Sequence, residues 1–149
     1  MRTIEDTLGL WVSGLLTTGQ VSDWAGSEIA RLDQPPPELI DLVMDGPEAC
    51  LKRAQADFPP RATRLPYVDE FALRAIALDL AADDAVQSFA DWASRRCLGG
   101  DLKEPLVLFG YQLDHLLCDC QDTDGAAALI RDELPPLLDR CRQMAERYA

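Results

Sequence analysis

Apolar residues recur at intervals of three and four along nearly the whole chain, and this spacing constrains the fold more than any other feature. Such a period places one side of an α-helix in a core, whereas a half-buried β-strand needs strict alternation. No stretch between turn signals shows a run of alternating, β-branched residues. The sequence therefore predicts an all-α protein. In the first predicted helix the pattern consists of Ile4, Leu8, Trp11, Val12, Leu15 and Leu16.

Glycine and proline residues divide the chain into about eight predicted helices, and their short connections favour a compact, mostly antiparallel array. Gly19 suits the end of the first helix, and Ser22 suits the N-cap of the second. The third begins near Pro37 and ends at Gly46-Pro47, with Leu39, Ile40, Leu42 and Val43 as its apolar face. Further helices are predicted over residues 47–57, 68–80, 83–97 and 104–118. The last segment is either a pair of helices, 126–134 and 135–148, or one helix kinked at Pro135-Pro136.

The chain length favours a single domain. A chain of 149 residues lies within the usual size of one domain and is long enough to bury a real core. The clearest linker is "FPPRATRLP", residues 58–66, which follows about four predicted helices. We therefore expect one helical domain over residues 1–149, with a division at 58–66 as the alternative.

The formal net charge of −12 restricts the partners that the chain can bind. Nucleic acids and anionic membrane surfaces both require cationic side chains, so neither is expected as a partner. No apolar run approaches the roughly 20 residues that span a bilayer. The charge favours a basic protein partner, although acidity that serves only solubility is the alternative.

The five cysteines are odd in number, and the first residues contain an acidic pair instead of a basic leader segment. Reduced thiols and a cytoplasmic location are therefore expected. His115, Cys118 and Cys120 supply three residue types that zinc prefers, but an α-helix rotates Cys120 well away from His115 and a fourth ligand would be remote. His115 and Cys118 share a face, as a nucleophilic pair would require. The favoured interpretation is a buried or half-buried histidine on a core helix, without a metal.

Motifs of known enzymes are missing from the sequence, which contains no G-x-S-x-G, no H-E-x-x-H and no phosphate-binding glycine loop. "CQDTDG" resembles part of a calcium loop, but its first and twelfth positions would be Cys120 and Arg131. Asp124 is better explained as a cap or first-turn acid of the next helix. We therefore expect no enzymatic activity and no cofactor.

The tripeptide "DWA" occurs at Asp23–Ala25 and at Asp91–Ala93, and it contains two of the three tryptophans. An internal duplication, a paired recognition site and two packing anchors are the alternatives. The surrounding helix boundaries disagree between the two copies, whereas a structural repeat keeps its caps. We therefore interpret Trp24 and Trp92 as packing anchors, with Trp92 beside Phe89 in the middle of a helix.

Residues 8–45 resemble the N-terminal half of small helical bacterial proteins that include immunity proteins of polymorphic-toxin systems. The resemblance implies a helical fold and, as a role, inhibition of a toxin. It carries no catalytic residues. The matching residues are Gly19, Val21, Ser22, Trp24, Ala25, Pro37, Leu39 and Ile40.

Three functions follow from these observations. The first is an acidic binding protein without enzymatic activity, specifically an immunity-type inhibitor of a basic toxin. The second is a helical adaptor or assembly component that self-associates, for example as a homodimer, through an apolar face. The third is a small enzyme that uses His115 and Cys118 or paired carboxylates. For the first, charge density selects Asp83, Asp84, Asp119, Asp122 and Asp124 as the partner-binding residues.

Overall fold

The computed structural model describes residues 1–52 and 64–149, and all regular secondary structure in these ranges is helical. The prediction of an all-α fold is confirmed. A π-helical turn, His115–Asp119, follows α6, and short 3₁₀ turns lie at Pro135–Leu137 and Glu146–Tyr148. The eight α-helices are α1 (Ile4–Val12), α2 (Thr18–Arg31), α3 (Pro37–Lys52), α4 (Tyr67–Ala77), α5 (Asp83–Arg96), α6 (Pro105–Asp114), α7 (Thr123–Glu133) and α8 (Leu138–Ala145).

The chain divides into two compact units. The first unit contains residues 1–65 and 147–149, and the second contains residues 66–146. The division therefore falls inside the predicted 58–66 linker, near its end. Residues 58–63 of that linker, and the predicted end of a helix near residue 57, lie outside the described residues.

The first unit has a mainly aliphatic core built by α1, α2 and α3. The members on α2 and α3 are buried at helical spacing, which agrees with the periodicity of the sequence, and α1 adds Leu8. Trp11 and Trp24 are half-buried and pack against this core. The buried residues are Leu8, Val21, Ala25, Leu39, Leu42 and Cys50.

The first helix ends earlier and the second begins earlier than predicted. α1 ends at Val12, and Gly14 follows with a positive φ of 76°. Thr17 is the N-cap of α2: its side chain accepts a hydrogen bond from the Gln20 backbone, and the Gln20 side chain accepts one from the Thr17 backbone. This reciprocal capping box satisfies two backbone donors. The assignments of Gly19 as a stop and Ser22 as a cap were therefore wrong.

The predicted break at Gly46-Pro47 is confirmed, because Gly46 has φ 82° and ψ 164° inside α3. The predicted apolar face of this helix was too wide. Leu39 and Leu42 are buried, but Ile40 and Val43 are 46% and 42% exposed. α3 packs mainly against α2, so a single narrow stripe of its surface is covered.

The second unit has a core rich in aromatic side chains. The Phe71 ring lies 5.1 Å from Phe89 and 5.8 Å from Phe109, both in edge-on geometry. Trp92 stacks on Tyr67 at 5.4 Å and lies 5.9 Å from Phe89, as the sequence predicted for Phe89. Offset and edge-on pairs of this kind add stability beyond the area they bury.

Gly110 allows close packing at the centre of the second unit. A Cβ atom at this position would lie 2.5 Å from the Cys97 Cβ and 2.6 Å from the Tyr67 hydroxyl oxygen. That hydroxyl donates a hydrogen bond of 3.0 Å to the Leu106 carbonyl. The absence of a side chain at Gly110 therefore lets α6 approach α4 and the end of α5.

None of the helices in the described part of the chain combines the length and the apolar character needed to cross a membrane.

Candidate functional site

The most complete arrangement of chemically reactive side chains lies on the π-helical turn after α6. Here the Cys120 backbone N–H donates to the His115 carbonyl over 3.1 Å, five residues back rather than four. The wider turn changes which side chains lie above one another. Residues four and five positions after His115 therefore come to its side of the helix.

His115 contacts a carboxylate with one ring nitrogen and a thiol with the other. Its Nδ1 lies 2.9 Å from Asp119 Oδ2, and its Nε2 lies 3.6 Å from Cys120 Sγ. An ionised carboxylate can only accept hydrogen bonds, so Nδ1 carries the hydrogen in the neutral ring. Nε2 is then left as an acceptor for the Cys120 thiol, and the three groups form a continuous chain of hydrogen-bond contacts.

Cys118 has a different partner from Cys120. Its Sγ lies 3.2 Å from Asp114 Oδ1, to which the thiol donates. This hydrogen bond is the main reason that the pKa of Cys118 is raised above its ordinary value. The thiol that was paired with His115 in the sequence-based hypothesis is therefore bound to Asp114 instead.

Two sequence-based interpretations at this turn were wrong. Cys120 is not rotated away from His115, because the turn is π-helical and not α-helical. His115 is not buried: its side chain is 65% exposed. The buried side of α6, defined by Leu106, Phe109 and Leu113, continues to Leu116 and Leu117, and His115 faces away from it.

The described side chains do not form a group of three or more His, Cys, Asp or Glu residues that could hold a metal ion. All five cysteines are free thiols, of which Cys118 and Cys120 are exposed.

The five predicted partner-binding aspartates have separate structural environments. Asp83, in the first turn of α5, lies 2.5 Å from the Arg131 guanidinium, which also donates to the Leu80 carbonyl. Asp84 lies beside it in the same turn. Asp122 is the N-cap of α7 and accepts from the Gly125 backbone at 2.8 Å, and Asp124 is a first-turn acid, as predicted.

These aspartates form two groups and not one. Asp83 pairs with Arg131 in the last turn of α7, and Asp84 is its neighbour in the chain. Asp122 and Asp124 lie at the N-terminal end of α7, and Asp119 precedes them on the π-helical turn. The rise of an α-helix separates Asp124 from Arg131 by about 10 Å along the axis. We define the acidic segment as residues 114–133, in which six carboxylates accompany one cation, Arg131.

An ion pair between a buried carboxylate and a partly exposed arginine was missed by the sequence reasoning. Glu70 is wholly buried, and its Oε1 lies 3.3 Å from the Arg74 guanidinium. That guanidinium lies 5.1 Å from the centroid of the Trp92 ring. A buried charge needs a partner, and the two residues are one helical turn apart on α4. Their spacing was visible in the sequence, but their burial depends on how α4 packs. We interpret them as structural.

An exposed apolar stripe lies on the first half of α3. Ile40, Val43 and Met44 are 46%, 42% and 76% exposed, at the i, i+3, i+4 spacing of one helix side. Clustered exposed apolar side chains often mark interaction surfaces.

Compared with protein-family models, curated protein sequences and solved structures, the chain gives no match.

Proposed function

We propose that the protein is a binding protein without enzymatic activity that inhibits a basic partner, most concretely an immunity-type inhibitor of a basic toxin. The observation that carries the proposal is the acidic segment, where six carboxylates accompany a single cation. The net charge of −12 and the resemblance of residues 8–45 to immunity proteins support it.

The charge of the acidic segment is little compensated by neighbouring cations. Arg131, its one basic residue, is already engaged by Asp83. Asp124, Asp132 and Glu133 are exposed on α7. A rigid helix that presents several carboxylates attracts a cationic surface and accelerates association, with a strong dependence on salt. A toxin with a basic cleft for phosphates has the complementary charge.

The test begins with the gene next to this one, whose product is expected to be a basic toxin domain. Association of that domain is measured at low and at physiological salt. The test variant carries Asp124→Asn, Asp132→Asn and Glu133→Gln, which leave the Asp122 cap and the Asp83–Arg131 pair intact. We expect its association rate to fall by roughly an order of magnitude at low salt.

The matched control removes three exposed carboxylates from the first unit through Glu5→Gln, Asp23→Asn and Asp33→Asn. It has the same net charge as the test variant, so a smaller effect assigns the binding surface to the acidic segment. Equal effects of the two variants, or a neighbouring gene that encodes no basic protein that binds, would overturn the proposal.

We propose a cytoplasmic location for this inhibitor. Five free thiols, of which two are exposed, suit a reducing compartment.

Self-association is the second candidate function, and the stripe of Ile40, Val43 and Met44 favours it. Sedimentation over a hundredfold range of concentration should then show a dimer that dissociates on dilution. Met44→Glu would place a charge in the stripe and shift the equilibrium to monomer, whereas Leu98→Glu, at an exposed apolar residue outside α3, would not. A monomer at all concentrations would rule this candidate out.

A further inference from the structure

We infer that Cys120 is a site of thiol–disulfide exchange, at which the thiol forms a reversible mixed disulfide with a low-molecular-weight disulfide. His115 is the base that accepts the thiol proton, and Asp119 is a positioning residue that holds the imidazole. The inference does not rest on the proposed inhibitor function, because neither the site nor its reagent requires a protein partner.

The geometry supplies each part that such an exchange needs. A thiol reacts as its thiolate, and a base within contact distance promotes loss of its proton. The His115 Nε2 is 3.6 Å from Cys120 Sγ, and Asp119 accepts from the opposite ring nitrogen at 2.9 Å. The carboxylate thus fixes the ring orientation that directs the free nitrogen to the thiol, and its charge stabilises the imidazolium that forms.

The exchange step is balanced without a further reactant. Cys120 transfers its proton to His115 Nε2, and Sγ then attacks one sulfur of the disulfide. A new bond forms between Sγ and that sulfur as the original S–S bond breaks, and the other sulfur leaves as a thiolate, which takes the proton from the imidazolium. The same step in reverse, with a small thiol as the attacking group, restores the free Cys120.

The site is open to solvent, which suits thiol–disulfide exchange better than a reaction whose substrate must be enclosed. The His115 and Asp119 side chains are 65% and 70% exposed, and Cys120 is exposed beside them. Attack on a disulfide requires a line of approach to a sulfur atom but no set of donors for a developing oxyanion, since the leaving group is itself a stable thiolate.

The neighbouring thiol provides an internal contrast. Cys118 lies on the same turn and is also exposed, but it donates to Asp114, and this hydrogen bond raises the pKa of Cys118. Cys50, Cys97 and Cys141 are buried, and burial is the main cause that raises the pKa of each. Cys120 should therefore react first of the five.

The test uses 4,4′-dithiodipyridine, which releases an ultraviolet-absorbing thione. This disulfide is neutral, so repulsion by the acidic segment does not distort the rates. Stopped-flow absorbance at pH 7 follows the full-length protein and the variants Cys118→Ser and Cys120→Ser, and mass spectrometry locates the first adduct. We expect the fast phase to survive Cys118→Ser and to disappear in Cys120→Ser. Equal rates for the two thiols would overturn the inference.

The role of the imidazole is tested by combining His115→Gln with Cys118→Ser and, separately, with Cys120→Ser, so that one exposed thiol remains in each protein. We expect the Cys120 rate to fall by roughly an order of magnitude, below the usual range for general-base catalysis because the site is open to water. The Cys118 rate should stay nearly constant. A loss of the helical turn would change both thiols, so slowing of both to the same extent would show a merely structural role and contradict the inference. Asp119→Asn should give a smaller drop, again confined to Cys120.

Discussion

The tripeptide Asp-Trp-Ala occurs once in each unit, and its two copies have different surroundings. Trp24, in the first unit, is half-buried against an aliphatic core, with the Arg2 guanidinium 5.9 Å from its ring. Trp92, in the second unit, is 9% exposed among aromatic rings, and its Nε1 has no hydrogen-bond partner in the described part of the chain. α5 packs against α4, α6 and α7, whereas α2 packs against α1 and α3. The tripeptide is the same in both copies, so the deeper burial of Trp92 follows from the larger number of helices packed around α5.

The largest difference is expected between Trp92→Ala and Trp24→Ala. Removal of the buried indole should lower the free energy of unfolding by about 3–5 kcal/mol, since it leaves a cavity between rings. Removal of the half-buried Trp24 should cost about 1–2 kcal/mol, because less apolar area is lost. Urea titration followed by circular dichroism measures both. Trp92→Phe keeps an aromatic ring and eliminates the unpaired donor, so it should cost less than about 1.5 kcal/mol. Equal losses for the two alanine variants would break the comparison.

The next largest loss of stability is expected from removal of the ion pair between Asp6 and Arg147, which lies in the first unit. Arg147 donates to Asp6 Oδ1 at 2.7 Å and 3.1 Å, and the Thr3 backbone donates to Asp6 Oδ2 at 3.2 Å. Burial by itself raises the pKa of Asp6, but these hydrogen bonds outweigh burial and lower the pKa below its ordinary value of 3.8. We expect Asp6→Asn to cost about 2 kcal/mol at pH 7, the usual size for hydrogen bonds to a charged group.

The same substitution should change the dependence of stability on pH. Because the folded-state pKa is depressed, the carboxylate contributes fully above its ordinary value of 3.8, and this contribution is lost as the pH falls through the folded-state pKa. Thermal unfolding between pH 2 and pH 7 should therefore show wild type and Asp6→Asn converging in acid. A constant difference across that range would contradict the role of Asp6.

Alanine substitutions at two glycines, one in each unit, test how tightly the surrounding atoms pack. Gly110→Ala, in the second unit, would bring a Cβ within 2.5 Å of Cys97 and should cost about 1–2 kcal/mol through overpacking. Gly26→Ala, within α2 of the first unit, meets no atom within 4 Å and should stabilise the helix by about 0.5–1 kcal/mol. Calorimetry of the two variants should give shifts in melting temperature of opposite sign. Shifts of the same sign would show that the second unit is no more tightly packed at Gly110 than α2 is at Gly26.

The smallest expected effect concerns where α2 begins in the first unit. Thr17→Ala removes one half of the capping box with Gln20 and should cost about 1 kcal/mol. Ser22→Ala is the matched control, since Ser22 lies inside the helix and should change stability by only a few tenths of a kcal/mol. Chemical denaturation resolves the two. A larger loss for Ser22→Ala would restore the helix boundary that the sequence pattern first indicated.

The fold class could be predicted from the sequence because apolar periodicity is repeated over many turns, so single errors have little weight. The boundary between α1 and α2 was missed although its signal was present: Thr17 is followed three residues later by Gln20, as in a capping box, whereas Ser22 is followed there by Ala25. The width of the buried stripe on α3 was overestimated for Ile40 and Val43, since it depends on which neighbours cover the helix.

The candidate site was the part least accessible from the sequence. The residue types at His115, Cys118 and Cys120 were visible, but their pairing follows from helical geometry. An α-helical spacing would pair His115 with Cys118 or Asp119, and the observed turn adds Cys120, five residues on, while Cys118 bonds to Asp114. The exposure of His115 could have been predicted from the sequence, because the stripe of Leu106, Phe109 and Leu113 already defines the buried side of α6.

Because of the π-helical turn, the contact between His115 and Cys120 depends on the number of residues that separate them. A hydrogen bond that reaches five residues back encloses one residue more than an α-helical turn. Each residue of an α-helix turns by about 100°, so residues five apart would point about 140° away from each other, whereas residues four apart share a side. The π-helical turn therefore does for the five-residue spacing of His115 and Cys120 what an α-helix does for a spacing of four. A homologue that lacked one of the residues 116–118 would hold its histidine and cysteine four apart in an ordinary helix, so we expect it to keep their contact without the π-helical turn.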